Sequence, residues 1–220
     1  MDIKWAETPN YRPGRNGNKI IAIVNHITAG GFPGCLNWLR NTASGASAHY
    51  LVNRSGEIYQ LVKDSDTAWH AGVVNRPTWK LYNGTNPNLC TIGIEHEGFD
   101  GALTEAQYQA TLWLQSQLIA KHGIPADEDH IIGHYQINSA DRPSCPGPNF
   151  PWQRLFDDLK GEEDMIRYDS INDVPDWGKA TVEKLIAKGA LAGDSAGKLD
   201  LSHDMLRIFV INDRLGLYGE

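Results

Sequence analysis

Five consecutive apolar residues, Ile20-Ile21-Ala22-Ile23-Val24, four of them β-branched, constrain this chain more than any other feature. A strand without polar alternation has no face to offer water, so the run predicts a central strand covered on both sides. Thr91-Ile92-Gly93-Ile94-Glu95 predicts a second buried strand. Residues 48–52, a turn at Asn53-Arg54-Ser55-Gly56 and residues 57–62 form a hairpin pattern, and 130–132 a short strand. Helical patterns lie between them. A short one covers 34–42, a longer one 104–122, and a closing one 152–160. The long helix opens on the capping-box sequence Thr104-Glu105-Ala106-Gln107 and stops at Gly123 and Pro125. Its expected buried stripe is Ala106, Ala110, Trp113, Leu114 and Leu118, broadened by Leu112 and Ile119. Alternating helix and strand predicts an α/β fold with a mixed central sheet flanked by helices.

The 220 residues exceed what one domain of about 150 residues needs. Composition shifts at Gly161-Glu162-Glu163-Asp164: residues 1–161 carry 13 basic and 15 acidic groups, whereas 162–220 carry 7 and 12. We expect a main domain over 1–161 and a small helical domain over 162–220, with helices at 176–188 and 202–212 and a turn at 193–197. The net charge of −7 gives no electrostatic reason to expect nucleic acid or an anionic membrane as partner. No run approaches the roughly 18 apolar residues of a spanning helix, so membrane insertion is not expected. The N-terminal residues lack the apolar core of a secretory signal, and the expectation is synthesis in the cytoplasm without a signal peptide. Cys35, Cys90 and Cys145 are too few and too far apart for a disulfide framework, which leaves at least one thiol free or metal-bound.

Several of the eight histidines stand where a strand ends or a loop begins: His26 after the first strand, His70 after Ala68-Trp69, His134 after Ile131-Ile132-Gly133. One such histidine alone is more often structural than functional. Their shared position shifts the balance. The loop from His134 through Asp141-Arg142-Pro143-Ser144 to Cys145-Pro146 is long enough to curl back, so that Cys145, His134 and His26 meet around one ion. Two imidazoles and a thiolate with an open fourth position describe a catalytic zinc site. Glu95 ends a buried strand, where a carboxylate is costly unless paired or used, and a general base is its natural use. Glu97 is the rival carboxylate two positions on. For His49 and His96 supporting or core roles are favoured. The irregular segment 72–88, with Arg76, Trp79 and Tyr82, is the candidate substrate-facing loop.

Taken in order, Val-Asn-His26-Ile-Thr28-Ala-Gly, Ser-Ala-His49-Tyr-Leu-Val, Gly-Glu-Ile-Tyr-Gln-Leu-Val, Ala-Trp69-His70-Ala-Gly, Ile-Gly-Ile-Glu95-His-Glu-Gly, Leu-Thr-Glu-Ala-Gln-Tyr, Ile-Ile-Gly-His134 and Cys145-Pro-Gly-Pro-Asn-Phe resemble the zinc N-acetylmuramoyl-L-alanine amidases of type 2. That family includes phage lysins, autolysins and peptidoglycan recognition proteins, and the resemblance covers about residues 15–160. It implies one zinc ion on His26, His134 and Cys145, with Glu95 as catalytic carboxylate. It places His70 in the groove, as a catalytic or substrate-binding residue, and His49, Trp69 and Thr28 among the substrate contacts. Two departures stand out. Many members carry an oxyanion-stabilising lysine two residues before the last zinc ligand, where this chain has Pro143 with Arg142 beside it; Arg142 or His70 could replace it. Some carry a tyrosine where this chain has Ala48. A cysteine ligand, where some relatives use aspartate, makes the site more thiophilic and favours zinc.

The tail resembles a single surface-layer-homology unit through Asp173-Val-Pro-Asp-Trp177, Leu185-Ile-Ala-Lys-Gly189, Leu201-Ser202 and Met205-Leu-Arg207. The resemblance implies binding of a secondary wall polymer or homodimerisation, and a plain helical hairpin is the alternative. Together these features lead us to expect a peptidoglycan hydrolase, a phage or prophage endolysin that reaches the wall after release. A non-catalytic recognition module and a zinc endopeptidase acting within the stem peptide are the competing readings.

Overall fold

The computed structural model describes residues 1–219, and the side chains of all of these except 162–165. Among the described residues, ten strands and six α-helices follow one another in the order β1 (Ile3–Trp5), β2 (Tyr11–Arg12), β3 (Ala22–Ile27), α1 (Gly34–Leu39), β4 (Tyr50–Val52), β5 (Ile58–Gln60), β6 (Thr67–Ala68), β7 (Thr91–His96), α2 (Glu105–His122), β8 (Ile131–Gly133), α3 (His134–Ile137), α4 (Trp152–Met165), β9 (Arg167–Tyr168), α5 (Asp176–Ala187), β10 (Leu201–Ser202) and α6 (His203–Arg214). Six strands form a sheet in the order β1-β5-β4-β7-β3-β8. Only the β4/β5 hairpin is antiparallel; the other neighbours run parallel, which gives the mixed α/β architecture expected. The apolar run at 20–24 enters the sheet two residues late, and the strand continues through His26.

Alternation along the central strands divides the core. Ile23, Tyr50, Val52, Ile92, Ile94 and Ile131 pack on α2 and α4 through Tyr108, Leu118, Ile119, Leu155 and Leu159. Ala22, Val24, Leu51 and Ile132 face the other way, where α1 and the long loops cover them with Leu36, Leu39, Leu61, Ala71, Trp79 and Ile137. A sheet covered on both faces is what uninterrupted apolar strands require.

Helix α2 begins and ends as its sequence dictates. Thr104 Oγ1 accepts from the Gln107 backbone N–H, and Gly123 closes the helix in the left-handed conformation at φ 65°. Its buried face differs from the expected stripe. Ala106 is exposed, while Gln107, Thr111 and Gln115 are buried at a four-residue spacing against the sheet. Gln107 does not complete the capping box. Its Nε2 donates to the carbonyls of Val52 and Glu97, and Gln115 Nε2 donates to Asn25 Oδ1. These amides bond groups on the sheet and at the end of β7, which offsets their desolvation.

The compositional boundary at 161 falls inside α4, which continues to Met165, and the acidic side chains of 162–164 lie outside the described ones. Beyond it, β9 and β10 pair antiparallel, and α5 and α6 close a small cluster of Tyr168, Val174, Val182, Leu201, Leu206 and Val210. Trp177 Nε1 donates to Ala120 O at 3.3 Å, and its ring lies where a Cβ on Gly123 would sit. The tail thus seats on the C-terminal end of α2.

Replacing Gln107 with Ala leaves the Glu97 carbonyl without this buried donor, while the Val52 carbonyl keeps the Glu97 N–H. The expected cost is about 2 kcal/mol, read as a lower urea midpoint at unchanged slope.

Candidate active site

Three neighbouring parallel strands bring the chemistry to one level. His26 of β3 stands opposite Glu95 of β7, and Gly133 ends β8 opposite Asn25, so His134 follows beside His26 on the other flank. Asn25 meets Gln115 of α2, so His26, one residue on, leaves the sheet on the opposite face, with Glu95 beside it. The loop after α3 returns Cys145, whose carbonyl accepts from Tyr135 N–H at 3.1 Å. One ligand-capable atom from each of His26, His134 and Cys145 lies within 4.8 Å of the others.

Hydrogen bonds fix which ring nitrogens carry protons. His134 Nε2 lies 3.0 Å from Ala71 O, which can only accept, so Nε2 holds the hydrogen and Nδ1 a lone pair. Thr91 Oγ1 donates to Pro87 O at 2.7 Å, and therefore accepts from His70 Nε2 at 3.1 Å. His70 Nδ1 is then a lone pair, and it accepts from His26 Nε2 at 3.0 Å. That leaves the Nδ1 lone pair of His26 facing the Nδ1 lone pair of His134 across 3.1 Å. Burial lowers the pKa of all three rings, that of His26 and His70 well below the ordinary value, so none supplies a second proton. Two lone pairs facing each other beside a thiol call for a cation, and this nitrogen, nitrogen and sulfur set suits a borderline-soft divalent ion.

Burial also sets the acids. It raises Glu95 to about 7, opposed by the positive charge of Arg142, and Glu95 Oε2 is buried without a hydrogen-bond partner among the described residues. Cys145 is pushed up to about 12, first by burial and then by the Glu95 charge, so its proton leaves at neutral pH only when a cation replaces it. Arg142 is exposed, yet its charge acts on His26, Glu95, His134 and Cys145 alike.

Other residues lie elsewhere than the sequence suggested. His70 does not line a groove: it is 7% exposed behind His26, with both ring nitrogens bonded, so no face is left for substrate or oxyanion. His49 is fully buried; its Nδ1 accepts from Gly93 N–H, and Nε2 lies 2.7 Å from Arg15 Nη2, which removes it from any substrate surface. Thr28 ties the loop after β3 to the loop after β7: its hydroxyl donates to Gly30 O and accepts from Gly98 N–H, and is not free for a ligand. Trp79 is buried with its Nε1 on Asp129 O, so the loop 72–88 turns that ring into the core. Trp69, 39% exposed, remains on the rim beside His70. Glu97 is fixed by the backbone N–H groups of Phe32 and Arg54, which leaves Glu95 as the uncommitted carboxylate. His96 is buried edge-on to Phe150, in a core role.

Sequence reasoning missed Thr91, Gly93 and Asn88. A Cβ on Gly93 would overlap the His70 ring, so glycine forms its floor. Asn88 Oδ1 accepts from both His70 and Ala71 N–H groups. Gly93 lies within the Ile-Gly-Ile-Glu95 motif but nothing in that motif assigns it a part in seating His70, and no spacing marks Asn88 or Thr91.

A carboxyl whose pKa rises from 4.5 to about 7 on folding holds a proton in the folded chain that the unfolded chain has lost. The contribution of Glu95 to the stability of the metal-free protein therefore declines from pH 4.5 to 7 and levels above it, whereas His26, His70 and His134, whose pKa burial lowers, contribute in the opposite direction. Glu95→Gln removes this decline, and the variant's advantage grows to at most about 3 kcal/mol above pH 7. Denaturant titrations at several pH values in chelator read it directly.

Comparison with known proteins places the chain in a family. Residues 16–148 match the family model described as N-acetylmuramoyl-L-alanine amidase. The chain is 28% identical over 176 residues to N-acetylmuramoyl-L-alanine amidase A of Achromobacter lyticus, a match covering 71% of this chain and 91% of that protein. It is 46% identical over 111 residues to the 1,6-anhydro-N-acetylmuramyl-L-alanine amidase AmpD of Salmonella typhimurium, covering 50% of this chain and 54% of the relative, so it spans about half the length of that protein. Among solved structures, a selenomethionine AmpD derivative superposes with a TM-score of 0.60 at 30% identity, over 72% of this chain and 94% of the other. The family match extends over more than half of the sequence and includes every residue of the His26, Glu95, His134 and Cys145 cluster, and the chain belongs to the N-acetylmuramoyl-L-alanine amidase family.

Proposed function

We propose that this chain is a zinc-dependent peptidoglycan hydrolase that cleaves the amide between the lactyl group of N-acetylmuramic acid and the L-alanine of the stem peptide. The observation that carries the reading is Glu95: a buried carboxylate with an unpartnered oxygen and a pKa near 7, level with His26 in the sheet register. His26, His134 and Cys145 would hold the ion. When bound, zinc supplies Lewis-acid polarisation of the scissile carbonyl and makes water more acidic. Glu95 Oε2 takes the proton of the attacking water and passes it to the leaving amine of L-alanine. Having taken that proton, the carboxyl is itself the acid for the second transfer, so one group serves both. Arg142 restrains the rise of the Glu95 pKa and is assigned to the developing oxyanion in place of the missing lysine. Trp69 offers an exposed ring on which the substrate can lie. The reaction needs no covalent intermediate.

Purified walls treated with the protein should release free stem peptides beginning in L-alanine and leave glycan that keeps its lactyl groups, with release abolished by chelator and restored by zinc. Glu95→Ala should stay folded and load zinc while losing at least about 100-fold in release. Mass spectrometry decides the outcome. New amino termini inside the stem peptide would indicate an endopeptidase, and binding without cleavage a recognition module.

The tail supports a further assignment to the phage or prophage lysins, in which a catalytic unit at 1–161 is joined to a wall-binding or dimerising unit at 162–220. A cleft of about 470 Å³ between the two is lined by Lys19, Ile20, His130, Trp177 and Arg214, with no carboxylate among its described lining residues. A cationic cleft with an indole ring suits an anionic secondary wall polymer. The second reading, favoured by the AmpD likeness, is an enzyme acting on soluble 1,6-anhydro fragments, for which such a cleft has no use. The double variant Lys19→Glu, Arg214→Glu should sediment with purified walls several-fold less while hydrolysing soluble muropeptides at an unchanged rate. Unchanged sedimentation would remove the cleft from wall binding.

A further inference from the structure

The dipeptide His70–Ala71 touches both histidines of the cluster by different means. The His70 ring accepts the Nε2 hydrogen of His26 through Nδ1, and the Ala71 carbonyl accepts the Nε2 hydrogen of His134. One side-chain oxygen, Asn88 Oδ1, receives both backbone N–H groups of this dipeptide, at 3.0 and 2.8 Å. The relay is anchored at its far end by the Thr91 hydroxyl, whose own hydrogen goes to Pro87 O. Gly93 beneath the ring leaves no room for any side chain, so His70 sits against the strand itself. Asn88, Thr91, His70, His26 and His134 are all buried, and the order of donors along this chain has one solution.

We propose that His70 is a positioning residue: with Thr91 behind it and Asn88 clamping its backbone, it holds His26 in the tautomer that turns the Nδ1 lone pair into the metal site, while Ala71 O does the same for His134. The inference rests on the metal reading of the site. It replaces a groove role for His70 with one exerted through His26. A ring nitrogen hydrogen-bonded away from the metal fixes both the tautomer and the plane of the ligand, and the loss of such a partner typically weakens metal binding about 10- to 100-fold.

The test compares His70→Leu, which removes the acceptor, with His70→Asn, whose Oδ1 can stand where Nδ1 stood. Zinc dissociation constants are measured on the full chain by competition with a chromophoric chelator. His26 is followed by ¹⁵N imidazole spectra of the metal-free protein. His70→Leu should bind zinc about 10- to 100-fold more weakly and lose the single Nε2–H form of His26. His70→Asn should recover most of the affinity and that spectrum. Thr91→Val, which retains the side-chain volume, should weaken zinc binding in the same direction and keeps the proposal testable if His70→Leu does not fold. Wild-type affinity in folded His70→Leu, or an Nδ1–H form of His26 in the unaltered chain, would overturn the proposal while leaving the metal reading intact. Failure of the unaltered chain to bind zinc would overturn the metal reading itself, and the proposal with it.

Discussion

The register between β7, β3 and β8 is the constraint on which the site depends. A shift of one residue in β3 would turn His26 toward α2 and bring Asn25 to the other face, because side chains alternate strictly along a strand. Parallel neighbours cannot be joined by a tight turn, so residues 26, 95 and 134 meet only after long crossovers have folded over the sheet. What holds the register is burial on both faces. Ile23, Ile92, Ile94 and Ile131 would lose their contacts with α2 and α4 if they slipped, and Ala22, Val24 and Ile132 would lose theirs with the loop side. The bond from Gln115 to Asn25 adds a polar lock, since either amide would be buried unpaired out of register.

Burial then makes the reactivity. The same loops that exclude water from β3 and β7 keep His26, His70 and His134 neutral, raise Glu95 to about 7 and keep Cys145 a thiol. Each pKa unit corresponds to about 1.4 kcal/mol, so the site carries a real folding cost in its metal-free form. Arg142 is the counterweight. From the exposed edge its positive charge opposes burial at Glu95 and Cys145, and at His26 and His134 it adds to burial in keeping the rings neutral.

The parts of this fold that burial dictates were legible in the sequence. Runs rich in β-branched residues announced β3 and β7, and Thr104 and Gly123 announced the ends of α2. Strand β1 was not legible: all three of its residues are exposed, and it exists because it pairs with β5 at the sheet edge. The buried face of α2 was misread because polar Gln107, Thr111 and Gln115 occupy it, and the partners of the two glutamines are backbone and side-chain groups distant in sequence. Among site residues, type and position at a strand end identified the cluster of His26, His134 and Cys145 and its neighbour Glu95. The same reasoning misplaced His49, His70 and Thr28, since which atoms of a loop residue are already bonded depends on contacts that spacing does not encode. Ala71, Asn88 and Thr91 act through a carbonyl, an amide oxygen and a hydroxyl, groups too common to mark a position.

The two ends of the sheet divide the labour proposed for this chain. The histidine cluster lies at the C-terminal ends of β3 and β8, whereas the tail cleft is lined by Lys19, Ile20 and His130, which precede those strands. Six residues of β3 at about 3.3 Å each put on the order of 20 Å between them. A polymer held in the cleft is therefore not the bond being cut, and the two contacts engage either different chains or well-separated parts of one. Two linked weak contacts raise residence on a polymeric surface without any change at the reacting atoms. Since α5 and α6 meet the main unit at α2 and α4 and not at the loops that bury His26, the proposed wall contact and the proton transfers proposed for Glu95 are spatially separate.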